Sequence, residues 1–228
     1  MRPLQRGRVP QVGRRAKKVA HYRDWRMDLI NRLGNFCCYC NMVLNDSPQV
    51  EHVAPKSRYP RRALHWKNML LACGPCNIAK SNTHCSHKTH LLPDCHNTFL
   101  GFDHEVLATN RGPACVVKPR AGLSPDMCAK ALSTIALCKL DLIKYNSSAT
   151  DLRWKYRWEA LEFARAFREM YDELICLGRL PEVFYKLLSQ AARSKGFFSV
   201  WMDVFKDAPL VIKTLLATFP GTNKAYFV

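Results

Sequence analysis

With 228 residues, 48% of them hydrophobic, the chain is long enough for one good core or two small ones, which excludes wholesale disorder. Its 35 Lys and Arg against 18 Asp and Glu leave a net charge of +17, and a polyanion such as nucleic acid is the expected partner, because each neutralised phosphate releases counterions. The 11 cysteines have no secretory h-region ahead of them, and no apolar run reaches the roughly 18 to 20 residues that cross a bilayer, so the expectation is a protein of a reducing cytoplasm without a membrane span or a disulfide framework.

In chain order, residues 1–20 form a basic arm with Pro3, Gly7 and Pro10 and no steady period, expected to be extended and poorly ordered. Trp25, Leu29, Ile30 and Leu33 recur at helical spacing, and Gly34 supplies a C-cap, so a short amphipathic helix feeds the segment that follows. Phe36 to Cys40 reads as a metal-knuckle turn, and Gln49 to Ala54 as a short strand stopped by Pro55. Residues 56–66, with Pro60 and four Lys or Arg, read as a loop. Pro75 is expected to set a second knuckle, and residues 77–82 to start a helix carrying Lys80. Strand, strand and helix around one metal is the local architecture this predicts.

Beyond Asn82 a docking segment is expected, with residues 97–102 packing as a strand and Asn110, Arg111 and Gly112 turning into a strand over 114–117. Cys85, His87, His90, Cys95 and His96 offer the donors of a second metal site but lack its clean pair-to-pair spacing, and a docking segment is the reading preferred over it. From Ser124 the chain reads as helical, with helices near 124–144, 150–177, 181–193 and 208–219 rich in aromatic residues, and with Cys128, Cys138 and Cys176 as small core residues. The fold class is therefore α+β, a small metal-clamped unit followed by a mainly α-helical half. Its parts are the basic arm (1–20), the clamped domain with its docking segment (21–122) and a helical partner-docking region (123–228).

The chemistry concentrates between Cys37 and Asn77. Cys37-x-x-Cys40 and Cys73-x-x-Cys76 are two thiolate pairs of the spacing that closes a structural tetrahedral zinc site. Between them stand Glu51 and His52. An imidazole whose reference pKa is near 6.5 serves as a general base on water, and Glu51 and Asn77 offer hard oxygen ligands suited to Mg2+ or Mn2+. Lys80 and Lys56 are placed to reach phosphate oxygens, while Arg58, Arg61, Arg62 and Lys67 form either a backbone-contacting patch or a solvated face. Two readings without catalysis stay open beside the hydrolytic one: a zinc-stabilised module that only binds nucleic acid, and an assembly adaptor whose helical half docks a partner.

The order Cys37-x-x-Cys40, Glu51-His52, Asn68, Cys73-x-x-Cys76-Asn77 and Lys80 resembles a zinc-clamped HNH (ββα-metal) endonuclease whose third letter is Asn. That resemblance implies His52 as the base, Glu51 and Asn77 as ligands of the catalytic cation, Asn68 as the residue that buttresses the loop, and four cysteines on zinc. Glu51 stands where many members carry Asp. The MRP start, E-H-x-x-P-K-S, W-x-N and L-P-D-x-x-N-T-F-L are further similar to the PtuB-like HNH nucleases of Septu-type and retron-linked anti-phage systems, over roughly residues 1 to 145. That kinship implies a bacterial cytoplasmic effector working beside a PtuA-like ATPase of the ABC/SMC type and, in retron-linked members, a reverse transcriptase with its DNA.

Overall fold

The segment Val9 to Trp25 places only two-residue strands, β1 (Gln11–Val12) and β2 (Arg15–Ala16), in an exposed hairpin closed at Gly13, where φ is +59°. The computed structural model describes residues 1–110, 112–144 and 151–227. A 3-10 turn over Tyr22–Trp25, opened by a His21–Asp24 capping box, leads into α1 (Arg26–Leu33). That helix buries Leu29 and Leu33 and ends at Gly34 with φ +74°, as its spacing predicts.

The next elements are β3 (Gln49–His52), β4 (Met69–Ala72) and α2 (Gly74–Lys80). The two strands pair antiparallel, Glu51 opposite Leu70 and His52 opposite Met69. The expected strand, strand, helix unit is thus present, but α2 begins three residues earlier than Asn77. Cys73 caps it by accepting from the Cys76 backbone N–H at 3.5 Å, and Pro75 occupies the first turn, where a missing N–H costs nothing. Ser81, at φ +47°, stops it at Lys80.

A second hairpin follows, β5 (Phe102–Leu107) against β6 (Ala114–Pro119). Residues 97–101 turn instead of extending, so the strand starts at Phe102, the last residue of the stretch expected to form it. Arg111 of the expected turn lies outside the described residues. Five helices complete the chain: α3 (Pro125–Cys138), α4 (Arg153–Cys176), α5 (Glu182–Lys195), α6 (Phe198–Val204) and α7 (Pro209–Thr218). α3 stops six residues before the expected end because Lys139 adopts the left-handed conformation (φ +49°) and Leu140 turns inward to bury. The expected start of α4 near Thr150 lies outside the described residues. Cys138 is buried as expected, but Cys128 is half-buried and Cys176 is exposed near the end of α4. Among the described residues no helix is long and apolar enough to cross a membrane.

Two apolar cores result. The first gathers α1, β3, β4 and the clamp cysteines with Leu91, Leu92 and Phe102, and takes in Ala131, Ile135 and Leu137 of α3. The second is formed by α4 to α7 around Trp201, Phe184 and Phe198, and includes Phe36 and Cys115. A boundary at residue 122 therefore does not follow the packing, since α3 belongs with the clamp. The basic arm departs most from expectation. Leu4 is buried, Arg2 is fully buried with its guanidinium on the Leu33 carbonyl at 2.6 Å and on Thr222 Oγ1 at 3.2 Å, and Arg6 holds the Trp66 carbonyl and Asp94. Leu4 and Gln5 also bond the Pro93 and Gly221 backbone. A short Arg-rich segment reads as disordered by composition, yet here each buried guanidinium finds a backbone carbonyl, Leu33 at the end of α1 for Arg2 and Trp66 in the loop before β4 for Arg6, which satisfies the rule that buried charge is paired or hydrogen-bonded.

Candidate active site and zinc clamp

Cys37 and Cys40 lie in a tight turn closed by the Cys37 N–H on the Met42 carbonyl and by Asn41 at φ +63°, while Cys73 and Cys76 flank the first turn of α2. All four are buried, and their Sγ atoms lie within 4.8 Å of one another. Tetrahedral Zn–S bonds of about 2.3 Å set sulfurs about 3.8 Å apart. Cys40 and Cys73 are 3.7 Å apart, so the donor set fits zinc, which these four residues would hold. Cys85, His87, His90 and Cys95 are not gathered in the same way. Cys85 donates to the Val53 carbonyl at 3.2 Å, His90 bonds Thr89, and Cys95 is exposed.

Arg153, the first residue of α4, carries a role that spacing in the sequence did not disclose. Its Nη1 donates to Cys76 Sγ and to the Cys138 carbonyl, both at 2.9 Å, Nη2 donates to the Lys139 carbonyl at 3.0 Å and to Asp151 at 2.7 Å, and Nε donates to Asp151 at 2.8 Å. All five of the guanidinium's N–H donors are thereby used. A cation hydrogen-bonded to a ligating thiolate offsets the net negative charge of a four-thiolate zinc site and fixes the sulfur's direction. Arg153 stands more than 75 residues beyond the last cysteine, so only the fold brings them together.

Alternation along β3 separates the other predicted residues into two groups, because successive side chains of a strand face opposite ways. Gln49 and Glu51 face α2. Asn77 Nδ2 donates to Gln49 Oε1 at 2.7 Å, and Lys80 Nζ lies 2.6 Å from Glu51 Oε1. The second Glu51 oxygen accepts from Tyr39 Oη at 2.7 Å. Glu51 and Lys80 are 2% and 1% exposed, and Lys80 also donates to the His52 carbonyl at 2.7 Å. This corrects two expectations. Lys80 is not available to a phosphate, and both Glu51 oxygens are committed within the core, so Glu51 does not fit as a cation ligand. Together they clamp the backbone at His52. Asn77 is half-buried, with its amide nitrogen on Gln49 and its carbonyl oxygen left as a hard donor.

His52 faces the other way. Its Nε2 meets the Ala63 carbonyl at 3.0 Å, which makes Nε2 the protonated nitrogen and leaves Nδ1 as the acceptor. Burial holds the imidazole below its ordinary pKa, a shift opposed by the Ala63 bond and by Glu51 and reinforced by Lys56 and Lys80. Tyr22 packs against the ring with centroids 4.6 Å apart and planes tilted by 56°, and carries Lys56 Nζ 4.9 Å above its own ring. No hydrogen bond or ring contact links His52 to Asn77. Asn68 is buried and bonds the loop at three points, accepting from Ala54 N at 2.7 Å and donating to the Ala54 and Arg62 carbonyls at 3.0 and 3.1 Å. Lys56, Arg58, Arg61, Arg62 and Lys67 are all exposed on that loop or beside it.

A zinc-fitting cysteine clamp on a ββα unit, with a neutral histidine at the end of its first strand, defines the class. Residues 37–83 match the family model for HNH endonucleases, so this stretch is an HNH endonuclease domain. The chain is also 34% identical over 70 residues to the Septu protein PtuB of Bacillus thuringiensis, covering 29% of this chain and 27% of that protein. The match thus spans about a quarter of the length of that relative.

Proposed function

We propose that the chain is a metal-dependent endonuclease that hydrolyses phosphodiester bonds in DNA or RNA, with His52 as general base. The observation that carries this reading is the His52 imidazole, held neutral with Nε2 on the Ala63 carbonyl and Nδ1 open to deprotonate water, beside a loop of exposed cations. Asn68 fixes that loop, and the Glu51–Lys80 pair fixes the His52 backbone, so the base is preorganised. Lys56 and the run Arg58, Arg61, Arg62 and Lys67 bind the substrate backbone. A hard divalent cation, Mg2+ or Mn2+, would supply charge to stabilise the phosphoryl oxygens, and Asn77 is the residue that would hold it through its carbonyl oxygen. Likeness to a Septu protein supports a part in a Septu-type system. In that setting the chain would act as an anti-phage effector of the bacterial cytoplasm that docks a PtuA-like ATPase through its helical half, with a reverse transcriptase and its DNA in retron-linked assemblies.

The test incubates the purified protein, with and without the ATPase, with plasmid DNA, single-stranded DNA and tRNA. The protein is first stripped of loosely held metal by a weak chelator and then resupplied with Mg2+ or Mn2+. Cleavage that needs the added cation and is abolished by Asn77→Ala is the expected result. Salt-sensitive binding with every substrate intact under all conditions would return the protein to a binding module.

A further inference from the structure

Immediately beyond His52 the chain lines a cleft of about 590 Å³, of which the hydrolytic reading uses only Arg62, Lys67 and Asn68 on the rim and assigns nothing to the interior. Val53, Ala54 and Leu92 give it an apolar floor, and its walls are the loop that Asn68 fixes and the segment after α2. Four polar rings and two cations border it. Tyr59 Oη meets His84 Nδ1 at 3.1 Å with the rings 5.6 Å apart, Arg62 lies 5.4 Å over the Tyr59 ring, and His65, His87 and Lys67 complete the rim. The rim's acid, Asp94, is paired with Arg6, and burial pushes the Cys85 thiol up to about 11, so the cleft presents positive charge without an opposing free anion. Among the described residues its histidines and cysteines form no metal-ligand cluster.

An apolar floor for a flat ring, imidazoles and a phenol for its edges and cations for phosphates match one ligand chemistry, and the volume lies within the roughly 300 to 1,000 Å³ of small-ligand sites. A base inside a duplex is stacked and paired and does not reach such a floor. We propose that the cleft is a nucleotide subsite that receives one unpaired base of the substrate strand next to the scissile phosphate, with its phosphates on Arg62 and Lys67. It rests on the nuclease reading and gives that enzyme a single-stranded substrate.

The experiment measures equilibrium binding of fluorescent oligonucleotides to the full chain carrying His52→Ala, so that nothing is cut. The probes are single-stranded DNA, single-stranded RNA, a matched duplex and an abasic single strand, and comparison of the DNA and RNA strands identifies which the cleft prefers. His84→Ala combined with His87→Ala alters only exposed side chains and leaves zinc content as the control for folding. The pair is expected to weaken binding of a base-containing single strand by roughly tenfold while shifting the duplex and the abasic strand less than about twofold. Arg62→Ala with Lys67→Ala is expected to weaken all single strands, abasic included. Equal losses on abasic and base-containing strands, no loss, or no binding of single strands would overturn the subsite. Binding needs no turnover, so base-dependent binding without cleavage by the unmodified chain would remove the nuclease reading alone, and cleavage without base dependence would remove the subsite alone.

Discussion

The core around the clamp buries four cysteines, the Glu51–Lys80 pair, Tyr39, Asn68 and the Arg6 guanidinium among its aliphatic side chains, whereas the core of α4 to α7 is built on Trp201, Phe184, Phe197, Phe198, Phe205 and Phe219. Rings in the second meet edge to face, Tyr171 with Phe205 at 88° and Phe198 with Phe219 at 79°. The first is directional, since each buried polar group must keep its partner, and it admits one arrangement of the backbone at His52. The second rests on non-directional area burial, which tolerates exchange of similar volumes. Chemistry is placed where geometry is over-determined, and the area-based core serves as scaffold. Two arginines at the start of α4 join them, Arg153 on Cys76 and the fully buried Arg157 on the Cys115 carbonyl at 2.7 Å and over Phe197.

The contrast breaks most visibly when the metal is removed. Cys73→Ser, or a strong chelator, removes stabilisation on the order of 10 kcal/mol, so residues 37–83 should become protease-sensitive while the helices from 153 to 218 persist and keep their aromatic circular dichroism. Loss of both signals in one step would show that the two cores are not separable. Metal analysis should return about one tightly bound zinc per chain beforehand.

A smaller effect is expected from Lys80→Met, which strands the Glu51 carboxylate in the core and should cost about 3–5 kcal/mol in denaturant unfolding. Adding Glu51→Gln should recover much of it, because the uncompensated charge is then gone. A double variant no better than the single would refute the buried pair as the source of the loss. Arg153→Lys keeps the charge but loses the planar fork, and should cost about 1–3 kcal/mol while speeding zinc release to a chromophoric chelator. Unchanged release would detach α4 from the clamp. Least of all, Leu188→Met in the fully buried second core should cost under about 1.5 kcal/mol, and a larger penalty would mean that this core is as exacting as the first.

What was legible in the sequence followed from local rules. Two Cys-x-x-C pairs, a Glu-His step before Pro55 and 3.6-residue periodicity in α4, α5 and α7 each depend on neighbours a few positions apart. What was not legible depends on facing. Lys80 and Glu51 both looked like active-site groups because each stands at the right distance in sequence, yet strand alternation and one turn of α2 turn them toward each other and away from solvent. Tyr22 against His52, Arg153 on Cys76 and the burial of Arg2 join positions 30, 77 and more than 200 residues apart. α6 escaped because seven residues starting from Phe197 in the left-handed conformation carry little period of their own.

The most direct test of the account is phosphodiester cleavage by His52→Ala against the unmodified chain, at equal zinc content and with the same divalent cation. General base catalysis contributes roughly 100- to 10,000-fold, so the variant should lose at least about two orders of magnitude in rate while its melting temperature stays within a few degrees. Equal cleavage by the two proteins would contradict the assignment of His52 and with it the site built around that residue.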